Sequence, residues 1–322
     1  MKILITGGAG FIGSNFVHYV LDRHSDEVVV LDKLTYAGRK ENLQDVMRSI
    51  EFIKGDINDK KIVSNLVKKV DGIVNFAAET HVDRSIISAE DFVRTNILGL
   101  QTLLEASKES NIKKFIHIST DEVYGSIDDG SFKETDKLNP SSAYAASKAG
   151  ADLLATSFNT THNMPIIITR TCNNFGPFEH VEKFIPKIIT NAIRKREIPI
   201  YGDGTNIREW MFVKDNCNAI YTVLRKGAVG EIYNIAAHNE MRNIDVVKMI
   251  LEMMGKPFNL IKMVKDRPGH DKRYSMICEK IQALGWKPES KFKEMLKYTI
   301  EWYQNNQNWW KSIYDRDFHM KF

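Results

Sequence analysis

The sequence predicts an α/β fold: a doubly wound parallel sheet, followed by a smaller mixed α/β part toward the C-terminus. Three observations carry this expectation. Up to about residue 175, short apolar runs alternate with segments of helical period, the pattern of parallel strands joined by crossover helices. A glycine-rich turn, residues 7–13, stands directly between the first apolar run and the first helical pattern. After Gly176 and Pro177 the rhythm changes to longer helical segments, a few short strands and punctuation such as YGDGT and DRPGHD. The parts are therefore 1–175 and 176–322, with some segments of the second returning to the first.

Each element follows from its local pattern. Residues 2–6 (KILIT) open the sheet, and Phe16, Val17, Val20 and Leu21 mark the apolar face of the helix after the glycine turn. Residues 28–32, 51–54 and 72–76 are the next strands, each short and apolar. Helical period over 92–110 leads to a strand at 115–119, and 165–170 supplies a sixth. In the second part, 183–195, 244–254 and 292–305 read as helices. The stretch WYQNNQNWW, residues 302–310, reads as a helix end packed on the body rather than an exposed ligand platform.

The chain has 322 residues, 43% of them hydrophobic, enough for a sizeable core. Its formal charge of +4 is small, with acids and bases interspersed, and no basic block suits a nucleic acid. Cys172, Cys217 and Cys278 lie far apart, so neither a disulfide framework nor a metal site is expected. No apolar run approaches the roughly 20 residues that cross a bilayer. The run in MKILITGG is too short for a signal peptide. A cytoplasmic protein with no membrane and no nucleic-acid partner is the expectation.

ILITGGAGFIGSNF carries the strongest local signal. Gly8, Gly10 and Gly13 satisfy G-x-G-x-x-G, and Gly7, Gly10 and Gly13 satisfy G-x-x-G-x-x-G. Placed between a strand and a helix, such a turn lets backbone N–H groups approach a pyrophosphate at a helix N-terminus, as in a Rossmann sheet. The next strand ends in Asp32, about 20 residues on, where a carboxylate accepts from ribose hydroxyls and repels a 2′-phosphate. This favours NAD over NADP, with Lys33 and Arg39 nearby as opposing cations. Asp56 in KGDIND reads equally as an adenine-side contact or a turn acid.

KFIHISTDEVYG poses a different question, because Asp121 and Glu122 stand side by side at the end of an apolar strand. Taken alone, the pair is a polar turn. Downstream, Tyr144 and Lys148 are four residues apart, on one face of a helix. A lysine ammonium beside a tyrosine lowers the phenol's pKa toward working pH, so that it can take a hydroxyl proton. That spacing is a common chance pair on its own and gains weight from the glycine turn upstream.

Together TGGAGFIG, Asp32, NFAAETHVD and Tyr144-x-x-x-Lys148 resemble the extended short-chain dehydrogenase/reductase family. STDEVYG, AAETHVDRSI, NNFGPFEHVEKFIP, YGDGTNIREW and DRPGHDKRY are similar to its nucleotide-diphosphate-glucose 4,6-dehydratases, with matching motifs from residue 3 to about 303. The resemblance implies oxidation at sugar C4, elimination of water across C5–C6 and hydride return to C6. The product is a 4-keto-6-deoxy sugar nucleotide, from dTDP-glucose or, alternatively, UDP-glucose. Elimination explains the two acids, since it needs a base at C5 and an acid at the C6 oxygen. By resemblance Glu122 is that base, Asp121 that acid, Thr120 a hydrogen-bond partner of the C4 oxygen, and Tyr144, with Lys148, the C4 base.

For NAD the resemblance implies Gly7, Gly10, Phe11, Ile12 and Gly13, then Asp32, Lys33 and Thr35, and Asp56 with Ile57. Ala77, Ala78, Thr80, Thr95 and Asn174 join Tyr144 and Lys148 in that set. The nucleotide sugar is assigned His81, Thr120, Asn173 and Lys183, then Pro199, Tyr201, Arg208 and Asn243, with Arg267 and His270 from DRPGH. Arg208 suits bidentate diphosphate contact, its alternative being a surface ion pair with Glu209 or Asp203. His81 reads equally as a structural histidine. TCNN where relatives often carry CSNN, Phe175 for Tyr and Asn216 for His leave the geometry near Thr171 and Cys172 open. A 4-epimerase or 4-reductase would not need the Asp–Glu pair, and an inactive NAD-sensing module would be expected to lose Tyr144 or Lys148. A homodimer built on helices of the first part is also implied.

Overall fold

A computed structural model of the chain describes residues 1–317, so the last five residues of the expected 176–322 part lie outside the described residues. The first six strands are β1 (Lys2–Thr6), β2 (Glu27–Asp32), β3 (Ile50–Lys54), β4 (Gly72–Asn75), β5 (Lys114–Thr120) and β6 (Ile166–Thr171). Each begins and ends within one residue of its sequence expectation. The second half adds β7 (Asn173–Phe175), β8 (Ile198–Tyr201), β9 (Ile207–Phe212), β10 (Ile232–Ile235), β11 (Glu240–Arg242) and β12 (Ile261–Val264). Strand β10 pairs in parallel with β6 and completes a seven-stranded parallel sheet of order β10-β6-β5-β4-β1-β2-β3. The order reverses between β1 and β4, which opens a crevice at the carboxyl ends of those two strands.

Both faces of this sheet are covered, so its strands read as unbroken apolar runs rather than alternating ones. On one face Ile3, Ile5, Val30 and Ile116 pack with Phe16, Val17 and Val20 of α1 (Phe11–Arg23). On the other, Leu4, Leu31, Ile73 and Phe115 meet Val63 and Leu66 of α2 (Lys60–Val67). Short helices α3 (Val82–Ile87) and α4 (Glu90–Phe92) precede α5 (Leu100–Lys108), which joins that second layer with α6 (Ala143–His162). The remaining helices are α7 (Phe184–Ile193), α8 (Val213–Lys226), α9 (Asn243–Met253), α10 (Glu279–Gln282), α11 (Phe292–Asn305) and α12 (Gln307–Asp317). Helix α8 returns to the main sheet, with Ile220 and Leu224 in the α1-side core. Beside the main sheet lie a three-stranded sheet, β11-β9-β7, and a two-stranded one, β12-β8.

One expected helix is not regular. Within 92–110 the chain forms a π-helix over Val93–Gly99 before α5 begins. The wider turn has a tertiary cause. Asn96 is buried and closes three hydrogen bonds: it accepts from the Glu79 N–H (2.9 Å) and donates to the Glu79 carbonyl (3.1 Å) and to Ser147 Oγ (2.8 Å). A buried amide must find such partners, and the local winding yields to them. The aromatic stretch at 302–310 packs as expected: Trp310 is fully buried and its Nε1 donates to the Tyr303 carbonyl at 2.8 Å.

Candidate active site

The glycine turn closes the β1–β4 crevice from below. Gly7 has φ +68°, and a Cβ there would lie 2.7 Å from the Ala77 nitrogen after β4. A Cβ on Gly13 would lie 2.3 Å from the Gly7 carbonyl oxygen, so this glycine lets α1 start hard against the turn. Gly10 caps α1 with no side-chain hydrogen bond, which leaves the first N–H groups of the helix available to an anion. Asp32 is buried at the end of β2 and accepts from the N–H groups of Ala9 (2.9 Å) and Leu34 (2.7 Å). Burial pushes its carboxyl up, and these two bonds oppose that. The two cations that could have admitted a 2′-phosphate are engaged elsewhere. Lys33 pairs with Asp56 at 2.7 Å, and the Arg39 guanidinium lies 5.3 Å over the Trp309 ring. The donor set therefore fits NAD.

One continuous cavity runs from this turn to the ends of β5 and α6. Every residue that the sequence assigns to NAD lines it, as do Thr120, Asp121, Glu122, Tyr144, Lys148, Asn173 and Lys183. Strand β5 ends at Thr120, which caps a 3₁₀ turn over Asp121–Tyr124: Thr120 Oγ1 accepts from the Glu122 N–H at 3.3 Å. Its hydroxyl lies 3.1 Å from Asp121 Oδ1. The two neighbouring acids thus point into different surroundings. Asp121 is buried, and burial, reinforced by the charges of Glu122 and Glu209, holds its carboxyl well above the usual range. Glu122 is partly exposed to the cavity; burial raises it too, but Arg267, Arg208 and Lys183 all oppose the rise. Asp121 is the more readily protonated of the two, Glu122 the more readily ionised.

Tyr144 departs from the sequence expectation. Its phenol is raised, not lowered: burial dominates, Glu122 adds to it, and a hydrogen bond with Thr120 is the opposing influence. The Lys148 ammonium, one turn on, donates to the Ile118 carbonyl at 2.5 Å. Burial pushes Lys148 down to about 8, against the charge of Asp152 one turn further along α6. Asp152 is held in turn by Arg170 Nε at 2.9 Å, with His117 Nε2 at 3.6 Å.

The remaining substrate assignments lie outside this cavity, in two groups. Arg208 is buried on β9, stacks 4.5 Å over Tyr274 and donates to the carbonyls of Ile207 (2.7 Å) and Asp271 (2.9 Å). The surface ion-pair alternative does not hold, since Glu209 accepts from the His238 N–H and Asp203 from Thr205. Tyr201 and Arg267 both reach Asp83, at 3.0 and 3.4 Å, and His270 lies edge-on to Tyr201 while bonding Asp266 at 2.7 Å. Pro199 is exposed on β8, and Asn243 opens α9 with a buried Oδ1 that lacks a donor among the described residues. His81 is buried with Glu182 at 3.7 Å; burial, then Lys183, lowers it to about 3, so it is a neutral ring. Lys183 donates to the Thr80 carbonyl at 2.8 Å.

Three acids are among the cavity residues that escaped the sequence reading. Glu79 is raised to about 7, by burial and then by Asp91; its signal was its place inside AAETHVD. Glu179 and Glu182, in FEHVEK, also line the wall, Glu182 bonded to Arg84 at 2.8 Å.

Known proteins share this fold and much of this sequence. The sequence profile of the family described as GDP-mannose 4,6 dehydratase matches residues 4–299. The low-salt glycan biosynthesis protein Agl12 of Haloferax volcanii is 52% identical over 305 residues, 94% of this chain and 98% of that protein. A dTDP-glucose 4,6-dehydratase of Streptomyces niveus is 46% identical over 325 residues, covering 98% of this chain and 97% of its own. Among solved structures, DesIV (dTDP-glucose 4,6-dehydratase) from Streptomyces venezuelae, with NAD and TYD bound, superposes with a TM-score of 0.95 at 45% identity. That match covers 97% of this chain and 100% of DesIV.

Proposed function

The chain belongs to the family described as GDP-mannose 4,6 dehydratase, and from that premise we propose that it dehydrates dTDP-glucose to dTDP-4-keto-6-deoxyglucose with NAD as its cofactor. The observation that carries the reading is the pair Asp121–Glu122, two acids of unlike environment in one cavity with Tyr144. An enzyme that only oxidises and reduces C4 has no use for them.

Tyr144 acts as its phenolate, a form that the Lys148 ammonium one turn away favours against burial, and takes the proton of the C4 hydroxyl while Thr120 holds the oxygen. NAD, when bound, supplies the hydride acceptor at C4 and the donor at C6. The C4 ketone acidifies the C5 proton. Glu122 removes it, its ionised form favoured by Arg208, Arg267 and Lys183. Asp121, kept protonated by burial, gives its proton to the C6 oxygen, which leaves as water. Arg208, Asn243, Arg267 and His270, with Asn173 and Lys183, hold the nucleotide diphosphate, and Pro199 and Tyr201 border it. Residues 1–175 serve cofactor and catalysis and 176–322 mainly the nucleotide sugar; the pairing of β10 with β6 supports counting that segment with the first.

Incubation with dTDP-glucose and, separately, UDP-glucose tests the reading, with mass detection of the loss of water. Dehydration of dTDP-glucose is the expected result; dehydration of UDP-glucose alone would reassign the nucleotide, and epimerisation without water loss would overturn the reaction.

NAD is expected to bind at least about tenfold more tightly than NADP, because Asp32 repels a 2′-phosphate. Calorimetric titration of both cofactors measures this, and equal affinity would remove Asp32 from that role.

The likeness also supports a homodimer. The exposed residues of α6 include Leu153, at 64% exposure, and no Lys, Arg, Asp or Glu. Leu98 and Ile87 are also exposed, on neighbouring helical segments. A solvated helix face without charge suits a second copy better than water, and light scattering reads the mass. The three cysteines are free and buried, which accords with a cytoplasmic protein. Among the described residues no helix is long and apolar enough to cross a membrane.

A further inference from the structure

The aromatic stretch at 302–310 takes no part in the proposed reaction, yet it packs on Phe178 of the cofactor cavity and bonds Asn42 behind the glycine turn. Trp309 Nε1 donates to Asn42 Oδ1 at 2.8 Å. Asn42 is fully buried, and its Nδ2 donates to the Ala9 carbonyl at 2.9 Å. Ala9 belongs to the glycine turn, and its own N–H is the one bound by Asp32. Phe178 also lines the cavity; it stacks on His18 of α1 at 6.0 Å and packs edge-on to Trp302 at 5.1 Å and Trp309 at 6.1 Å. Phe178 has φ +69°, a strained backbone state for a bulky residue that only its surroundings can hold. The Tyr303 hydroxyl bonds the carbonyl of the adjacent Glu179.

We propose that Trp309 is a positioning residue for the dinucleotide: through Asn42 it fixes the glycine turn, and through Phe178 it braces the cavity lining beside α1. Helices α11 and α12 then form a clasp whose consequence is slow release of NAD. The inference rests on the reading that this cavity holds NAD. The chemistry is specific to the indole N–H. A buried amide has two distinguishable ends, and here the Trp309 donor and the Ala9 acceptor together set which end faces which way. Without the Trp309 donor, the buried Oδ1 loses its partner, and the Ala9 carbonyl, which also accepts from the Arg39 N–H at 2.9 Å, is held less firmly from the Asn42 side.

Trp309→Phe keeps an aromatic ring and removes the N–H; Asn42→Leu removes the link to Ala9. Protein loaded with NAD is mixed with excess competing nucleotide, and release is followed by tryptophan fluorescence. Melting of the NAD-free protein is recorded in parallel. Trp309→Phe is expected to release NAD about five- to tenfold faster, the effect of one lost hydrogen bond in a buried chain. The double variant is expected to release it no faster than Asn42→Leu alone, because the two residues act in series. Release at the wild-type rate from Trp309→Phe, with or without a lower melting temperature, would overturn the inference, as would additive effects in the double variant. Wild-type protein that binds no NAD would overturn the cofactor reading and this inference together.

Discussion

The double variant Asp121→Asn, Glu122→Gln is expected to stall halfway through the reaction. The amides keep the size of both side chains and some of their hydrogen bonding, but neither can move a proton. Tyr144, Lys148 and Thr120 remain, so substrate binds and C4 is oxidised. Elimination slows by at least about a hundredfold, the low end for positioned acid–base groups. In a single turnover, absorbance of the reduced cofactor should rise and persist instead of decaying. The unlike surroundings of the two acids sharpen the expectation. Asp121→Asn alone removes a group that burial already keeps protonated, so only its proton donation is lost. Glu122→Gln alone removes the carboxylate that Arg267, Arg208 and Lys183 favour, so deprotonation at C5 is lost. If the double variant dehydrates the sugar nucleotide at close to the wild-type rate, the two acids are turn residues and no more.

Tyr144→Phe is expected to fail at the opposite end of the sequence of steps. The phenol is the only hydroxyl that α6 brings to the cavity beside Thr120, and its loss leaves the C4 proton without an acceptor. Reduced cofactor should scarcely form, with the first step slowed by at least about a hundredfold. NAD should still bind, because Asp32 and the glycine turn are untouched. Measuring the early absorbance rise alongside NAD affinity separates the two contributions. A full rise in the Phe variant would show that another group takes the proton. Read together, the two variants divide the reaction at the ketone: one should accumulate reduced cofactor, the other should not make it.

How much of this was legible beforehand depended on how local its cause was. Strands β1 to β6 were read to within a residue because burial on both faces leaves each one an unbroken apolar run bounded by polar residues. The glycine turn and Asp32 were legible because the dinucleotide imposes a fixed spacing on a single βαβ unit. Asp121 and Glu122 were visible as residues, but their difference was not: it comes from Glu209, Arg208, Arg267 and Lys183, all remote in sequence. The π-helix at Val93–Gly99 was hidden for the same reason, since Asn96 answers to Glu79 and Ser147, not to its helical neighbours. The direction of the Tyr144 shift was misread because a four-residue spacing shows proximity and says nothing of burial. In Arg208 the type of residue was legible and its main-chain partners were not.

Strand β10 has a consequence for how the chain is made. A ribosome finishes β6 about sixty residues before it reaches β10, so for some ~3–12 s of synthesis the nascent sheet ends in β6 with one row of backbone groups unsatisfied. Helix α8, which covers that end of the sheet, emerges only in the same interval. A fragment that stops near residue 175 keeps that open edge permanently, together with the bare apolar layer that Ile220 and Leu224 would have covered. Such a half-chain is a template for edge-to-edge aggregation, however complete its glycine turn and its Tyr–Lys pair look on paper.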